Sequence, residues 1–294
     1  MQSSKSLKFK DIVFIFLPLL VMILIQYGVV IADIIIIFIK NLISDEKSAN
    51  AFSVNLIMTR DYNQPMNIAY VTLARYIVFI VVFGIWLRKI SSVNERKQLV
   101  NRPVIPAIFF IILAGIVGQF FVDSALMLAR PFFPTAFAEY DKQVTSQVFG
   151  ASASYVLYFT IFFIAPIAEE ILFRGLLQKY IGSFFHKIMD KGAVLCTILF
   201  QALLFGIYHG NMIQGIYAFV LGTLLGVLAV SFNSLIPGIL FHMTINTSIL
   251  LAPVTLFLFK TTATTIITGV VCLIILVGCT WLSVKLQKQR SSDK

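Results

Sequence analysis

Two adjacent carboxylates stand at the end of an apolar stretch in the third quarter of the sequence. Glu169 and Glu170 follow the run Ala165-Pro-Ile-Ala, and Arg174 comes one helical turn after Glu170 on the same helical face. Adjacent residues on a helix point about 100° apart, so Arg174 can pair well with only one of the two acids. An ion pair at a membrane interface would explain Glu170, but it leaves Glu169 available for chemistry.

Two later apolar stretches supply imidazole and amide groups. His209 closes the run that begins at Phe205, and His242 stands one helical turn before Asn246 on a shared face. A carboxylate beside a neutral imidazole can hold and deprotonate a water molecule. A second histidine with an asparagine amide can donate hydrogen bonds to the oxyanion that forms when water attacks a carbonyl. Together these groups are the parts of a peptidase.

The same side chains permit a second chemistry. Glu169, His209 and His242 are also ligand types for a divalent metal such as zinc, whose bound hydroxide would attack the peptide bond. The sequence holds no His-Glu-x-x-His helix, the common signature of zinc peptidases. A serine route is disfavoured because no nearby serine lies in a Gly-x-Ser-x-Gly turn. The cofactor is therefore left open between a divalent metal and none.

The stretches that carry these residues have the composition of membrane-spanning helices. The 294 residues are 59% apolar and only 12% charged, with a mean hydropathy of +0.93. Soluble domains are about 45–50% apolar and about 25% charged, so this chain requires lipid as a solvent. Backbone groups in lipid must pair within their own segment, which favours helices. The sequence therefore predicts an all-α, polytopic membrane protein.

Eight apolar runs are long enough to approach a hydrocarbon core of about 30 Å. The first is too long for a secretion signal and lacks a cleavage site, so it is interpreted as retained. With eight spans, most Lys and Arg residues fall in the termini and in the connections on the same side of the membrane as the termini. Positive residues favour the cytoplasmic side, which predicts a multi-pass protein of the cell membrane with both termini cytoplasmic. The net charge of +10 is spread over the ends of apolar runs, a pattern of membrane orientation that predicts no nucleic-acid partner. The predicted spans are about 12–39, 68–87, 104–128, 151–173, 193–210, 213–232, 235–257 and 263–284.

The breaks between these helices predict that the polar residues converge. The turn at Asp190-Lys191-Gly192 falls near the midpoint between Glu169 and His209, so an antiparallel hairpin would bring both residues to one level. His242 follows closely after the turn at Asn233-Ser234, which is also predicted to be cytoplasmic. All three polar clusters should then meet just below the cytoplasmic membrane surface.

Taken in their order along the chain, the three polar motifs resemble those of the CPBP family, also called the Abi family. This family contains the type II CAAX prenyl endopeptidases and bacteriocin-processing or self-immunity proteins. The matching motifs are Glu169-Glu170-x-x-x-Arg174, Phe205-x-x-x-His209 and His242-x-x-x-Asn246. The resemblance covers about residues 150–257, which we interpret as the catalytic helical core. The N-terminal helices, residues 1–149, carry no comparable signature, and the whole of 1–294 is interpreted as a single transmembrane domain.

The resemblance implies an intramembrane endopeptidase that acts on a membrane-associated peptide or protein from a cavity facing the cytoplasm. A short, cysteine-poor chain resembles the bacterial branch, in which pheromone maturation or bacteriocin immunity is typical. The resemblance also implies a role for each polar residue: water activation or metal binding by Glu169 and His209, orientation of the site by Glu170 and Arg174, and oxyanion stabilisation by His242 and Asn246.

Two other functions stay open at the level of sequence. Buried glutamate and histidine also form proton relays, as in a proton-coupled transporter, although the chain shows no internal repeat of the kind common in transporters. A catalytically inactive immunity protein of the same fold is the second. The oligomeric state does not follow from the sequence.

Overall fold

The computed structural model describes residues 8–43, 62–144 and 154–292. Within these ranges the chain forms helices joined by short turns, and no β-strand occurs. The first helices are α1 Phe9–Ile43, α2 Pro65–Ile90, α3 Val93–Leu99, α4 Ile105–Ala129 and α5 Pro134–Val144. They are followed by α6 Tyr155–Ile188, α7 Ala193–Tyr208, α8 Met212–Phe232, α9 Ile236–Ser248, α10 Ala252–Leu258 and α11 Thr262–Ser292.

Seven of the described helices are long and apolar enough to cross a membrane. They are α1, α2, α4, α6, α8, α11, and α9 with the residues that follow it to Thr255. The prediction of an all-α, polytopic membrane protein is therefore confirmed. The predicted count of eight differs by one because α7 has only 16 residues. At about 1.5 Å per residue α7 is roughly 24 Å long, short of a hydrocarbon core of about 30 Å.

The fourth predicted span, 151–173, extends well beyond its predicted end. Its first residues, 151–153, lie outside the described residues, and its helix continues to Ile188. The extension is amphipathic: Ile181 is fully buried, whereas His186 is exposed. Most of residues 40–67, which connect the first two predicted spans, also lie outside the described residues.

The predicted turns are found where the helices break. Gly192 precedes α7 with φ of 81°, and Asn233 follows α8 with φ of 48°. Both values lie in the left-handed region, where glycine and, less often, asparagine are tolerated. These turns fold α6 back on α7 and α8 back on α9, which brings the three polar clusters into one part of the molecule.

The polar segment between α2 and α4 covers one end of this helical assembly. The hydroxyl of Ser234, in the turn between α8 and α9, donates to the carbonyl oxygens of Leu99 and Asn101 at 3.2 and 2.8 Å. On α6, the ammonium of Lys179 donates to Glu95 at 2.9 Å. Helix α3 therefore contacts both α6 and the α8–α9 turn.

Candidate active site

Helix α6 departs from regular α-helical geometry on both sides of the glutamate pair. Wider π-helical turns at Thr160–Ile164 and Ile171–Leu177 flank the α-helical piece Ala165–Glu170. Pro166 lies in this piece and has no N–H to donate to the preceding turn, which favours a local rearrangement there. Single π turns within helices are frequent at functional sites.

Arg174 pairs with only one of the two carboxylates. Its Nη1 donates to Glu170 Oε1 at 2.8 Å, and both side chains are completely buried. The guanidinium also donates from Nη2 to the carbonyl oxygen of Gly222 at 3.1 Å and lies 4.4 Å from the centre of the Phe205 ring. The predicted i,i+4 pair is therefore present, and it ties α6 to α7 and α8.

The same Glu170 carboxylate contacts His242. Nδ1 of His242 lies 3.2 Å from Glu170 Oε1. A carboxylate paired with arginine only accepts hydrogen bonds, so Nδ1 carries a proton, and when the ring is neutral its Nε2 is an acceptor. Gly238 makes room for this contact, because a Cβ added there would lie 2.7 Å from Glu170 Oε2. Glu170 thus fixes the tautomer and the direction of the His242 ring.

Glu169 faces His242 from the other side. Oε2 of Glu169 lies 3.7 Å from Nε2 of His242, and both side chains are almost fully buried. Oε1 of Glu169 accepts a hydrogen bond from the hydroxyl of Tyr76, on α2, at 3.1 Å. The two adjacent glutamates therefore have different partners, as their directions on the helix require.

His209 lies close to this pair, across a shared phenylalanine. Its ring centre is 4.7 Å from that of Phe205, and the Phe205 ring centre lies 5.8 Å from that of His242. Nδ1 of His209 lies 2.8 Å from the carbonyl oxygen of Phe205, so it donates, and Nε2 is an acceptor. His209 is within electrostatic range of Glu169. Phe173 on α6 packs against Phe205 on α7, with 4.9 Å between the ring centres. These two positions share the midpoint of Glu169 and His209, so the contact has the helix alignment that the hairpin prediction requires.

Asn246 forms its hydrogen bond with the backbone of α6. Its Nδ2 donates to the carbonyl oxygen of Ile161, in the first π turn of α6, at 3.1 Å. One amide hydrogen is therefore engaged in holding α9 against α6. The role in oxyanion stabilisation that the resemblance implies stays a prediction.

Two tyrosines belong to the site but were not predicted. Tyr76 contacts Glu169, and its hydroxyl lies 3.4 Å from that of Tyr208. The sequence offers one signal for Tyr76, the charged residue Arg75 beside it within a predicted span. The guanidinium of Arg75 lies 5.1 Å from the centre of the Tyr76 ring.

The predicted metal ligands are Glu169, His209 and His242, and metal binding by them stays a prediction. In the three described ranges, no three His, Cys, Asp or Glu side chains are arranged to hold a metal ion. Nδ1 of His209 is engaged by its own helix and Nδ1 of His242 by Glu170, which leaves Nε2 of each neutral ring as an acceptor. A ring in this orientation can accept a hydrogen bond from water or bind a metal ion.

Fold and site together define a multi-pass membrane protein with a buried acid and histidine site. Residues 151–248 match the family described as type II CAAX prenyl endopeptidase Rce1-like. This matching segment, about a third of the chain, carries all six predicted polar residues. The family resemblance drawn from the motifs is therefore confirmed.

Comparison with individual proteins adds one relative and no structure. An Escherichia coli protein described as an uncharacterized 24.3 kDa protein is 29% identical over 167 residues, which cover 56% of this chain and 71% of that protein. No solved structure matches significantly.

Proposed function

We propose that the protein is an intramembrane endopeptidase that hydrolyses a peptide bond of a membrane-associated peptide or protein by activating water. The observation that carries this proposal is the 3.7 Å approach of Glu169 Oε2 to His242 Nε2, with Glu170 behind the imidazole. Two acceptors at this separation can each take one hydrogen of the same water, which leaves its oxygen lone pairs free to attack. The family match to CAAX endopeptidases supports the same reaction class.

The reaction would proceed by general base and then general acid catalysis. Glu169 takes a proton as the water oxygen bonds to the carbonyl carbon, and the carbonyl electrons move onto its oxygen. When the tetrahedral intermediate collapses, the C–N bond breaks and Glu169 returns the proton to the leaving amine. The products are a carboxylic acid and an amine, which ionise in water to a carboxylate and an ammonium, and the enzyme regains its starting protonation.

The remaining polar residues have supporting roles in this proposal. Glu170 and Arg174 hold the His242 ring, so His242 binds water here rather than the oxyanion. His209 offers a second Nε2 acceptor beside Glu169. We assign the oxyanion contact to Asn246, which keeps a second amide hydrogen beyond the one that Ile161 accepts.

The positive residues of the predicted inner connections favour cytoplasmic termini and a cell-membrane location. This orientation needs an even number of crossings, so the short helix α7 would have to cross together with the seven longer spans. The substrate would then reach the site from the cytoplasmic side. We infer that it is a CAAX-type or short hydrophobic peptide, with pheromone maturation or bacteriocin self-immunity as the biological setting. A green fluorescent protein fused to the C-terminus should fluoresce if that terminus is cytoplasmic, whereas an alkaline phosphatase fusion there should be inactive.

Cleavage by purified protein in proteoliposomes tests the proposal. The probes are a synthetic peptide ending in a farnesylated Cys-aliphatic-aliphatic-X sequence and a peptide library from a membrane fraction, with new termini detected by mass spectrometry. We expect cleavage by the parent and its loss in Glu169→Ala and His209→Ala. Exposed Glu139 and His186 provide matched controls, Glu139→Ala and His186→Ala, which should cut at the parent rate. Equal cutting by the Glu169 and His209 variants would overturn the mechanism, and failure of the parent to cut any probe would overturn the function.

A further inference from the structure

Tyr76 reaches the site from outside the segment that matches the protease family. It lies on α2, whereas the family match begins at residue 151. Its side chain is buried, and its hydroxyl donates to Glu169 Oε1 at 3.1 Å. Among the described residues, Tyr76 is the hydrogen-bond partner that the structure gives to this oxygen of Glu169. The N-terminal helices are therefore in direct contact with the central carboxylate.

The two tyrosines form a hydrogen-bond chain with one direction. A tyrosine hydroxyl has one hydrogen, and an ionised carboxylate only accepts. Tyr76 gives its hydrogen to Glu169, so at the 3.4 Å contact Tyr208 must be the donor and Tyr76 the acceptor. The chain runs from Tyr208 on α7 through Tyr76 on α2 to Glu169 on α6, and it joins three helices at the carboxylate.

This hydrogen bond sets the direction of the other carboxylate oxygen. A glutamate side chain has three rotatable bonds, and holding Oε1 restricts where Oε2 can point. With Oε1 on Tyr76, Oε2 of Glu169 faces Nε2 of His242. The Tyr76 ring is itself held, with its edge against Phe79 at 5.8 Å between ring centres and Arg75 5.1 Å from its own centre.

We propose that Tyr76 is a positioning residue for Glu169, supplied by the N-terminal helices to complete the hydrolytic site. This inference rests on the proposed function. It assigns α2 a role in the reaction, and it means that residues 151–248 alone do not contain the whole site. Tyr208 supports Tyr76 from the opposite side.

Tyrosine-to-phenylalanine variants test this inference because they remove only a hydroxyl. Kinetics are measured in proteoliposomes with whichever of the two probe types the parent cuts. A hydrogen bond to a charged group is worth about 1.5–3 kcal/mol, so Tyr76→Phe should lower kcat by about 10- to 100-fold. Its KM should change by less than about twofold, since Tyr76 touches Glu169 rather than substrate. Tyr208→Phe should give a smaller loss of kcat, and the double variant should lose little more than Tyr76→Phe alone.

Tyr180→Phe is the matched control. The Tyr180 hydroxyl accepts a hydrogen bond from Nε1 of Trp86 at 2.9 Å, so this variant also removes a contact between α6 and α2, but away from Glu169. It should keep the parent kcat, and its melting temperature calibrates the structural cost of losing one such contact. A merely structural role for Tyr76 would give matched melting shifts and matched kcat in the two variants.

Each outcome decides the inference. Parent kcat in Tyr76→Phe, or an increase in KM that accounts for the whole loss, overturns it. If Tyr76→Phe does not fold, Tyr208→Phe carries the test, and a parent kcat there is the contrary result. Glu169→Ala is assayed in parallel: if it is inactive while Tyr76→Phe is unaffected, only this inference fails, whereas full activity in Glu169→Ala removes the proposed function as well.

Discussion

Glu170 Oε1 is shared by Arg174 Nη1 at 2.8 Å and His242 Nδ1 at 3.2 Å. A buried carboxylate with a fixed cation on one side and an imidazole on the other keeps that imidazole in one tautomer and one orientation. Glu170 orients His242 as the aspartate of a serine protease orients its histidine. Here the histidine faces a second carboxylate rather than a serine. The His242 ring therefore links Glu170 to Glu169.

Replacing Glu170 with glutamine should be costly for both stability and activity. Glu170→Gln leaves the buried guanidinium of Arg174 without its counter-charge, and losing one partner of a buried pair typically costs about 3–5 kcal/mol. It also weakens the acceptor that holds Nδ1 of His242. We expect a clearly lower melting temperature in detergent and peptide cleavage reduced at least about 100-fold. Glu139→Gln, on an exposed residue, serves as the control, and a parent-like melting curve for Glu170→Gln would contradict the pairing.

Gly238→Ala should disturb the site without altering any polar residue. A Cβ at Gly238 would lie 2.7 Å from Glu170 Oε2, so the carboxylate would have to move. Overpacking of this kind costs about 1–3 kcal/mol. We expect reduced cleavage and a lower melting temperature, measured on the same proteoliposome and detergent preparations.

Gly278→Ala, on α11, is the control for Gly238→Ala. Among the described residues, no atom outside the neighbouring turns of its own helix lies within 4 Å of a Cβ added at Gly278. Alanine is favoured over glycine in a helix interior by about 0.5–1 kcal/mol, so this variant should be as stable as the parent or slightly more so. Equal activity of the Gly238 and Gly278 variants would show that Glu170 tolerates displacement.

The parts of the site that could be predicted from sequence are those that depend on local helical spacing. Glu170 and Arg174 form the expected i,i+4 pair, and residues 151–248 match the family that the three motifs indicated. The convergence of Glu169 with His242 followed from the positions of the turns. These features need only helix periodicity and the order of elements, both of which a sequence contains.

The features that could not be predicted depend on contacts between distant helices. Tyr76 precedes Glu169 by 93 residues, and a tyrosine in an apolar helix carries no sign of its partner. Asn246 donates to a carbonyl oxygen within a π turn, and that geometry is not encoded in residue spacing. The predicted end of span 193–210 lies two residues beyond the end of α7, where the chain turns with φ of 67° at Gly210. The count of eight differs because it includes an apolar run of this length as long enough to cross the membrane.

Removal of metal should leave cleavage unchanged. The described residues bring no three ligand side chains together, and the proposed water is held by Glu169 and His242. Dialysis against a chelator, followed by elemental analysis of the protein and a cleavage assay, measures this directly. Loss of activity on chelation and its recovery with zinc would instead support a metal route through Glu169, His209 and His242.

Acid should remove the stabilisation of the folded protein that comes from the contact between α3 and α6. The Lys179 ammonium, with the Ser92 backbone N–H, lowers the pKa of Glu95 to about 2 from an ordinary value of 4.5. Because the folded pKa is the lower one, the stabilisation is fully present above about pH 4.5 and is lost as the pH falls towards 2. The Glu95 side chain is 47% exposed, so screening limits the effect to under about 1 kcal/mol. Glu95→Gln should therefore melt slightly below the parent at pH 7 and at the same temperature as the parent near pH 2. A gap for Glu95→Gln that persists at pH 2 would mean that the contact with Lys179 does not depend on the carboxylate charge.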